Sequence, residues 1–265
     1  MTAPSTLTVA AQDASTMLWR ELKHTLRYPL ILISSILTPV VMLLLFVYIL
    51  GGPIGAGLGG AAQGAPYIDF LAPGILMMTV AAGTSTTAIN VCTDMTGGIM
   101  DRFRTMAITR GALLAGHVGG NVLRTLVTTT FVTGIALLVG FRPQASVTGW
   151  LAVAGLVAAF SFALAWLSVA LGLVTKSVAG ANSATLPILF LLPFLSSAFV
   201  PADSMPAGLR WFTAHQPFTL VVDCLRALLT GGPVGSTAYL ALAWCAAIAL
   251  AGYLWARAAF RRGAR

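Results

Sequence analysis

Residues 150–174 read WLAVAGLVAAFSFALAWLSVALGLV, and after the short connection TKSVAG the chain resumes at 181–200 with ANSATLPILFLLPFLSSAFV. The first stretch holds 25 residues without a single Asp, Glu, Lys, Arg or His. About 20 apolar residues suffice to cross a bilayer as a helix. The run is continuous and lacks the period of two that a lipid-facing barrel strand needs, which excludes a transmembrane β-barrel. The two stretches, split only by the turn around Lys176, predict a pair of membrane-spanning helices.

The same pattern recurs outward in both directions. Further apolar runs of bilayer length fall at 30–50, 70–92, 118–141 and 237–256, separated by short polar connections. Over the 265 residues, 58% are hydrophobic and 8% are charged, with a mean hydropathy of +0.90. A soluble domain carries roughly 25% charged residues, so this composition excludes both disorder and a soluble enzyme with a solvated surface. The predicted fold is all-α: a polytopic membrane protein with six transmembrane helices across 30–256, between a polar arm at 1–29 and a basic tail at 257–265. The arm contains Asp13 and Glu21 and is too long for a cleaved signal peptide.

Six spans place both termini on one side, and the basic residues say which. With the N-terminus cytoplasmic, Arg20, Lys23, Arg27, Arg102, Arg104, Arg110, Arg124, Lys176, Arg257, Arg261, Arg262 and Arg265 lie inside, and only Arg142, Arg210 and Arg226 lie outside. That bias predicts a multi-pass protein of the cytoplasmic membrane with both termini in the cytoplasm. With Asp13, Glu21, Asp94 and Asp101 inside and Asp69, Asp203 and Asp223 outside, the whole net charge of +8 falls on the inner face. Topology therefore accounts for the basicity without a nucleic-acid partner. Arg124 falls within the third span; seventeen residues separate it from Arg142, so it can snorkel to the inner interface, the alternative being a role in a pathway.

Several catalytic readings fail on context. The loop 51–64, GGPIGAGLGGAAQG, contains a formal GxGxxG at Gly55, Gly57 and Gly60, but it follows a span and runs into Pro66 instead of opening a helix in a βαβ unit. No G-x-x-x-x-G-K-[ST] occurs, so ATP is not held by a P-loop here. His24, His117 and His215 lie apart on opposite sides, which leaves no metal cluster, and no histidine faces the span serines Ser85, Ser161, Ser168, Ser196 and Ser197 in mid-membrane. Cys92, Cys224 and Cys245 form no CxxC and read as packing residues.

Four segments carry other signals. Between Asp13 and Tyr28, Leu18, Leu22 and Leu26 recur every fourth residue among Arg20, Lys23, His24 and Arg27, describing an amphipathic helix on the inner leaflet that either anchors the first span or meets a partner. The inner connection 94–110, DMTGGIMDRFRTMAITR, sets Ile99, Phe103 and Met106 at helical spacing beside Asp101, Arg102 and Arg104, after a break at Gly97 and Gly98. A short helix with an exposed aromatic suits a groove on a cytoplasmic subunit, the bland alternative being a solvated loop. Polar stripes run along the second span (Thr79, Gly83, Thr86 or Thr87, Asn90) and the third (Thr125, Thr129, Thr133). Such faces meet another helix or a wet path, packing being the more common answer. The fifth span carries Pro187 and Pro193, with Phe190 and Phe194 one turn apart, as a kinked lining or as core. Outside, 201–232 is too long for a hairpin turn; Asp223 and Arg226 are spaced to pair on one face of a short helix dipping into the outer leaflet.

In this order the parts resemble ABC-2 type transporter permeases, most closely the daunorubicin-resistance-like drug and lipid exporters. Asp101-Arg102-Phe103-Arg104 with Arg110, Phe199-Val200-Pro201, Met205-Pro206, Pro217, Arg226 and the run Asp69-Phe70-Leu71-Ala72-Pro73-Gly74 carry the resemblance, which covers about residues 16–262. There are departures: Asp94 is the one acid before Gly98, where the family usually has two, and Ala107 replaces a proline common after the D-R-F-R run. The resemblance implies an elbow helix, a cytoplasmic coupling helix whose residues are Asp94, Gly98, Asp101, Arg102, Phe103, Arg104 and Arg110, and re-entrant outer helices before the sixth span. It implies a half-transporter without a motor or cofactor of its own: a second permease, identical or a sister chain, completes the pathway, and separate subunits binding ATP and Mg drive it. The candidate pathway or dimer face is Thr79, Thr86, Asn90, Thr125, Thr129, Phe190 and Phe194, and the implied cargo is a hydrophobic drug or lipid. Export of a polysaccharide or lipid-linked polymer is the rival within transport. A non-transporting assembly protein is the rival outside it, and an ion-coupled carrier lacks the midplane acids it would need.

Overall fold

The computed structural model describes the backbone of residues 29–51, 67–97 and 110–263. The expected arm helix, most of the 51–64 loop and the middle of the 94–110 connection lie outside the described residues. All regular structure among the described residues is helical. Eight helices follow in order: α1 (Pro29–Leu44), α2 (Tyr67–Thr96), α3 (Arg110–Val139), α4 (Val147–Val174), α5 (Val178–Leu186), α6 (Ala207–His215), α7 (Pro217–Thr230) and α8 (Thr237–Gly263). α1 continues through a π-helical segment, Leu45–Leu50, and α5 through another, Pro187–Leu191, into Leu192–Phe194. Four helices are long and apolar enough to cross a membrane: Tyr67–Thr96, Leu114–Val139, Val147–Val174 and Thr237–Arg261. The other two expected spans form shorter apolar helices, Ile33–Ile49 and Val178–Phe194.

α4 occupies the middle because it is apolar on every side. Its buried residues Val153, Leu156, Phe160, Leu164 and Val169 face in several directions, and it packs against α8, α2, α3 and α7. Apolar surface cannot drive helices together in lipid, so close backbone packing does that work. Two glycines permit it. A Cβ on Gly252 of α8 would stand 2.7 Å from the Leu167 nitrogen of α4, and one on Gly172 of α4 would stand 2.6 Å from the Ala88 carbonyl of α2. The start of α4 is fixed by Ser146, whose Oγ accepts from the Gly149 N–H at 3.2 Å. Ser177 does the same for α5, accepting from Gly180 at 3.1 Å.

The bundle has two distinct ends. At one, the Arg142 N–H donates to Asp69 at 3.1 Å and the Gln144 N–H donates to the Leu229 carbonyl at 2.8 Å. At the other, the Cys92 thiol reaches the Thr175 carbonyl at 3.6 Å, and Asp94 meets His117. We refer to these as the Asp69 end and the Asp94 end.

Three boundaries depart from expectation, the first being α8, which runs on to Gly263, seven residues past the span end expected at 256. α3 begins at Arg110, eight residues before the start expected at 118, because 110–117 carries no proline and its isolated glycines, Gly111 and Gly116, weaken a helix without ending it. The expected fifth span, 181–200, leaves the helix after Phe194. Pro193 has no N–H, and the π register lets the Leu192 N–H reach the Pro187 carbonyl instead of the usual fourth residue back. The carbonyls then left open accept from elsewhere: Leu195 from the Thr213 hydroxyl at 2.8 Å and Leu192 from the Gln216 amide at 3.3 Å.

Replacing Gly172 by valine is expected to lower stability by about 1–3 kcal/mol through overpacking. The check is thermal unfolding of the purified permease, with Gly155→Ala, where nothing lies within 4 Å of the new Cβ, unchanged as its control.

Candidate translocation site

The site has three levels along the bundle. At the Asp94 end, α2 and α3 approach the 98–109 segment from its two sides. Asp94 Oδ2 lies 3.1 Å from His117 Nε2, and the side chains are 14% and 5% exposed. This contact between the ends of two long helices was not evident in the sequence, where His117 is a lone histidine 23 residues from Asp94. Of the expected coupling residues, Asp94 closes the last turns of α2 and Arg110 opens α3. Gly98, Asp101, Arg102, Phe103 and Arg104 lie outside the described residues.

Halfway along the bundle, the two expected threonine stripes meet. Thr79 and Thr86 of α2 and Thr125 of α3 line one cavity of about 20 Å³ with Ser35 of α1, Gly83, Arg124 and Thr128. Thr129 faces a different space of about 310 Å³ with Leu76, Thr133, Trp150 and Val157, between α2, α3 and α4. Many of the hydroxyls donate back to their own helix: Thr79 to the Ile75 carbonyl at 2.9 Å, Thr87 to Gly83 at 3.0 Å and Thr129 to Thr125 at 2.8 Å. Such bonds satisfy the hydrogen without a partner helix and leave an acceptor oxygen facing outward. Asn90 is half-buried further toward the Asp94 end. The Arg124 Nη2 donates to Asn121 Oδ1 at 3.3 Å, and Asn121 in turn donates to the Ser161 hydroxyl at 3.2 Å on α4.

Phe190 and Phe194 are 43% and 44% exposed and line neither cavity. Phe194 stacks on Phe199 at 4.8 Å, and Phe199 stacks on Phe46 at 4.9 Å, which ties the end of α5 to the end of α1. Exposed apolar residues also follow one side of α1, at Ile33, Leu37 and Val41.

At the Asp69 end, α6 and α7 are the two short helices expected between 201 and 232. Pro206 stands immediately before α6, and Pro217 opens α7, where a missing N–H is harmless. The Met205 sulfur lies 3.4 Å from the Thr213 hydroxyl, whose single proton is directed at Leu195, and Pro201 accepts from the Ser204 hydroxyl at 2.7 Å. Arg226 is the organising group. It donates to Asp223 at 2.6 Å and to the Ser197 carbonyl at 2.8 Å, and lies 4.1 Å over the Phe70 ring. Ser197 closes the circuit, its hydroxyl donating to Asp223 at 2.7 Å. The i,i+3 spacing revealed the Asp223–Arg226 pair, but nothing in the sequence pointed to Ser197 or Phe70 as its partners. Next to this node, Gly74 of α2 admits the chain after α5: a Cβ there would stand 2.6 Å from the Ala198 carbonyl.

Six apolar helices with a polar seam at mid-depth and a tethered helical pair across one end describe a membrane transport subunit. Residues 12–230 match the ABC-2 type transporter family, and the chain belongs to that family. It is 30% identical over 222 residues to the daunorubicin resistance ABC transporter permease protein DrrB1 of Streptomyces coeruleorubidus, covering 84% of this chain and 76% of that one. It is 26% identical over 178 residues to the probable doxorubicin resistance ABC transporter permease protein DrrC of Mycobacterium tuberculosis, covering 67% and 64%. It is 26% identical over 215 residues to the inner membrane transport permease YadH of Escherichia coli, covering 79% and 80%. The chain is thus a multi-pass, non-catalytic transmembrane subunit, and ATP hydrolysis lies in a partner.

Arg226→Lys keeps the charge but cannot reproduce the fork that serves Asp223 and Ser197 together. It is expected to lower stability by about 1.5–3 kcal/mol, read as a lower melting temperature, with Arg210→Lys nearly silent.

Proposed function

We propose that this permease exports a hydrophobic drug or lipid-like molecule outward across the cytoplasmic membrane. It crosses the membrane six times with both termini in the cytoplasm, and pairs with a second permease, identical or a sister chain. Two ATP-binding subunits dock beneath the pair. The observation that carries this reading is the family match over residues 12–230, supported by the drug-resistance relatives. The positive-inside count supports the orientation.

The Asp94–His117 contact supports the coupling arrangement. Among the described residues, Asp94 of α2 and His117 of α3 stand 3.1 Å apart on the two helices that flank the 98–109 segment in sequence. A push delivered there by ATP-driven closure of the docked subunits moves α2 and α3 as a unit. Those are the helices that carry the threonine faces. Transport then requires that the inward and outward arrangements bind cargo differently and that ATP biases their populations. The α6–α7 pair, held by Arg226, caps the outer end of that path. Its exposed Leu209, Trp211 and Phe212 suit the outer leaflet interface. The exposed faces of α1 and α5, including Phe190 and Phe194, are free to meet the second permease.

Two outcomes are expected. Phe103→Ala abolishes cargo-stimulated ATP hydrolysis by the assembled complex while membrane insertion stays normal; unimpaired export by this variant would sink the docking arrangement. Thiol labelling of intact cells reaches a cysteine placed at Gly60 but not one placed at Arg104, the native Cys92, Cys224 and Cys245 being buried. The reverse labelling pattern overturns the orientation.

A further inference from the structure

The cavity of about 310 Å³ between α2, α3 and α4 shares no lining residue with the polar seam beside Arg124. Its α3 wall runs from Leu126 to Leu137, about 16 Å of helix. Leu126, Thr129, Thr133 and Leu137 fall on one face there, three or four residues apart. Val153 and Val157 of α4 and Leu76 of α2 are buried and form the floor. Thr130, Gly134 and Ala154 are exposed and border the mouth. All three are small, and a Cβ on Gly134 would meet nothing within 4 Å. The space is a groove open along one side, with the volume of the smaller pockets that hold drug-sized ligands.

Its lining residues include no Asp, Glu, Lys, Arg or His. The polar side chains that α3 brings to it are three threonines, and each of their hydroxyl protons is already used. Thr129 donates to the Thr125 carbonyl at 2.8 Å, Thr130 to the Leu126 carbonyl at 2.7 Å and Thr133 to the Thr129 carbonyl at 2.7 Å. A hydroxyl has one proton and two lone pairs, so each of these oxygens is left only to accept. Acceptors grouped on an apolar wall gain most from a ligand that brings its own donor. A charged group of either sign would lose its water here and find no opposite charge in return. A molecule with acceptors alone, such as an ether, makes no bond with these oxygens. Trp150 lines the same groove and adds an aromatic ring to its apolar wall.

We propose that this groove binds an uncharged, elongated apolar molecule through a hydroxyl or amide N–H that donates to the oxygens of Thr129, Thr130 and Thr133. Every wall of the groove comes from this one chain. The ligand class is thereby narrowed from hydrophobic molecules in general to neutral ones that carry a donor. Taking the bound molecule as cargo rests on the export reading above. The binding itself is a property of this chain and is measured without the motor.

The test uses the full-length permease in discs of phosphatidylcholine, a lipid that offers chains and acceptors but no hydroxyl or N–H donor. Dodecanol carrying a photoactivatable diazirine in its chain is added, and the sites of attachment are mapped by peptide mass spectrometry. Attachment is expected to concentrate on 126–137 and 150–157. Unlabelled dodecanol is expected to suppress it at about fivefold lower concentration in the bilayer than dodecyl methyl ether, the scale of one hydrogen bond. Thr129→Val, Thr130→Val and Thr133→Val combined are expected to remove that difference by weakening the alcohol alone. Gly134→Phe fills the mouth and is expected to lower attachment to both segments about tenfold. Gly155→Phe, at a position outside the groove where a Cβ also meets nothing within 4 Å, is expected to leave it unchanged. If Gly134→Phe does not fold, Ala154→Phe closes the mouth from the facing helix. Equal suppression by alcohol and ether, or attachment spread evenly over the exposed faces of α1, α3 and α8, overturns the proposal. Suppression by diacylglycerol placed in the disc identifies a membrane lipid as the source, and suppression by dodecanol alone identifies a solute. Groove binding without ATP-driven movement of the probe in the assembled transporter leaves this site standing and removes the export reading. Movement with evenly spread attachment does the opposite.

Discussion

A helix that stops with its end buried leaves carbonyl oxygens that water cannot reach, and each needs a donor from the protein. The continuation of α5 stops in this way after Phe194, where Ser196, Ser197 and Ala198 are buried, and the open carbonyls at Leu192, Leu195 and Ser197 determine how the Asp69 end is assembled. Thr213 serves Leu195, Gln216 serves Leu192 and Arg226 serves Ser197. All three donors come from the α6–α7 pair or the junction between its helices, so the pair is held against the bundle by polar bonds. Arg226 then brings Asp223 and the Phe70 ring into the same node, which joins the cap to the start of α2. An apolar cap could slide on lipid-like surface; this one has fixed positions to occupy or leave.

The other levels of the molecule follow from how closely α4 and its neighbours pack. With Gly172 against Ala88 and Gly252 against Leu167, α2, α4 and α8 form a dense slab. α1 and α3 complete the other side of α2, and it is there that the polar seam is found. Gly83 opens a space where the facing helices carry Arg124 and hydroxyls. At the Asp94 end the same two helices, α2 and α3, are joined by Asp94 and His117. One helix pair therefore connects the segment proposed to receive the motor's push with the polar seam halfway along the bundle.

The membrane class and the approximate places of the helices were legible because a bilayer imposes a length and an apolarity that any window of about 20 residues reveals. The Asp223–Arg226 pair was legible because three residues on a helix is a contact distance. The threonine stripes were legible as faces, but their destinations were not: Thr125 and Thr129, one turn apart on α3, open onto different cavities. Arg124 falls in the middle of α3 because that helix begins at Arg110, a boundary that the apolar window starting at 118 did not contain.

Local composition and period thus settled the all-helical class, the membrane environment and the residues able to carry polar or charged roles, because those properties depend on solvent and on neighbours a few positions away. Tertiary structure alone decided which of those residues meet. The carbonyls that α6 and α7 satisfy lie roughly twenty to thirty residues away, and the His117 partner of Asp94 lies on another helix. The space beside Arg124 exists because a glycine on α2 happens to face it. Such pairings depend on the rotation and depth at which whole helices dock, and no window of sequence contains that information.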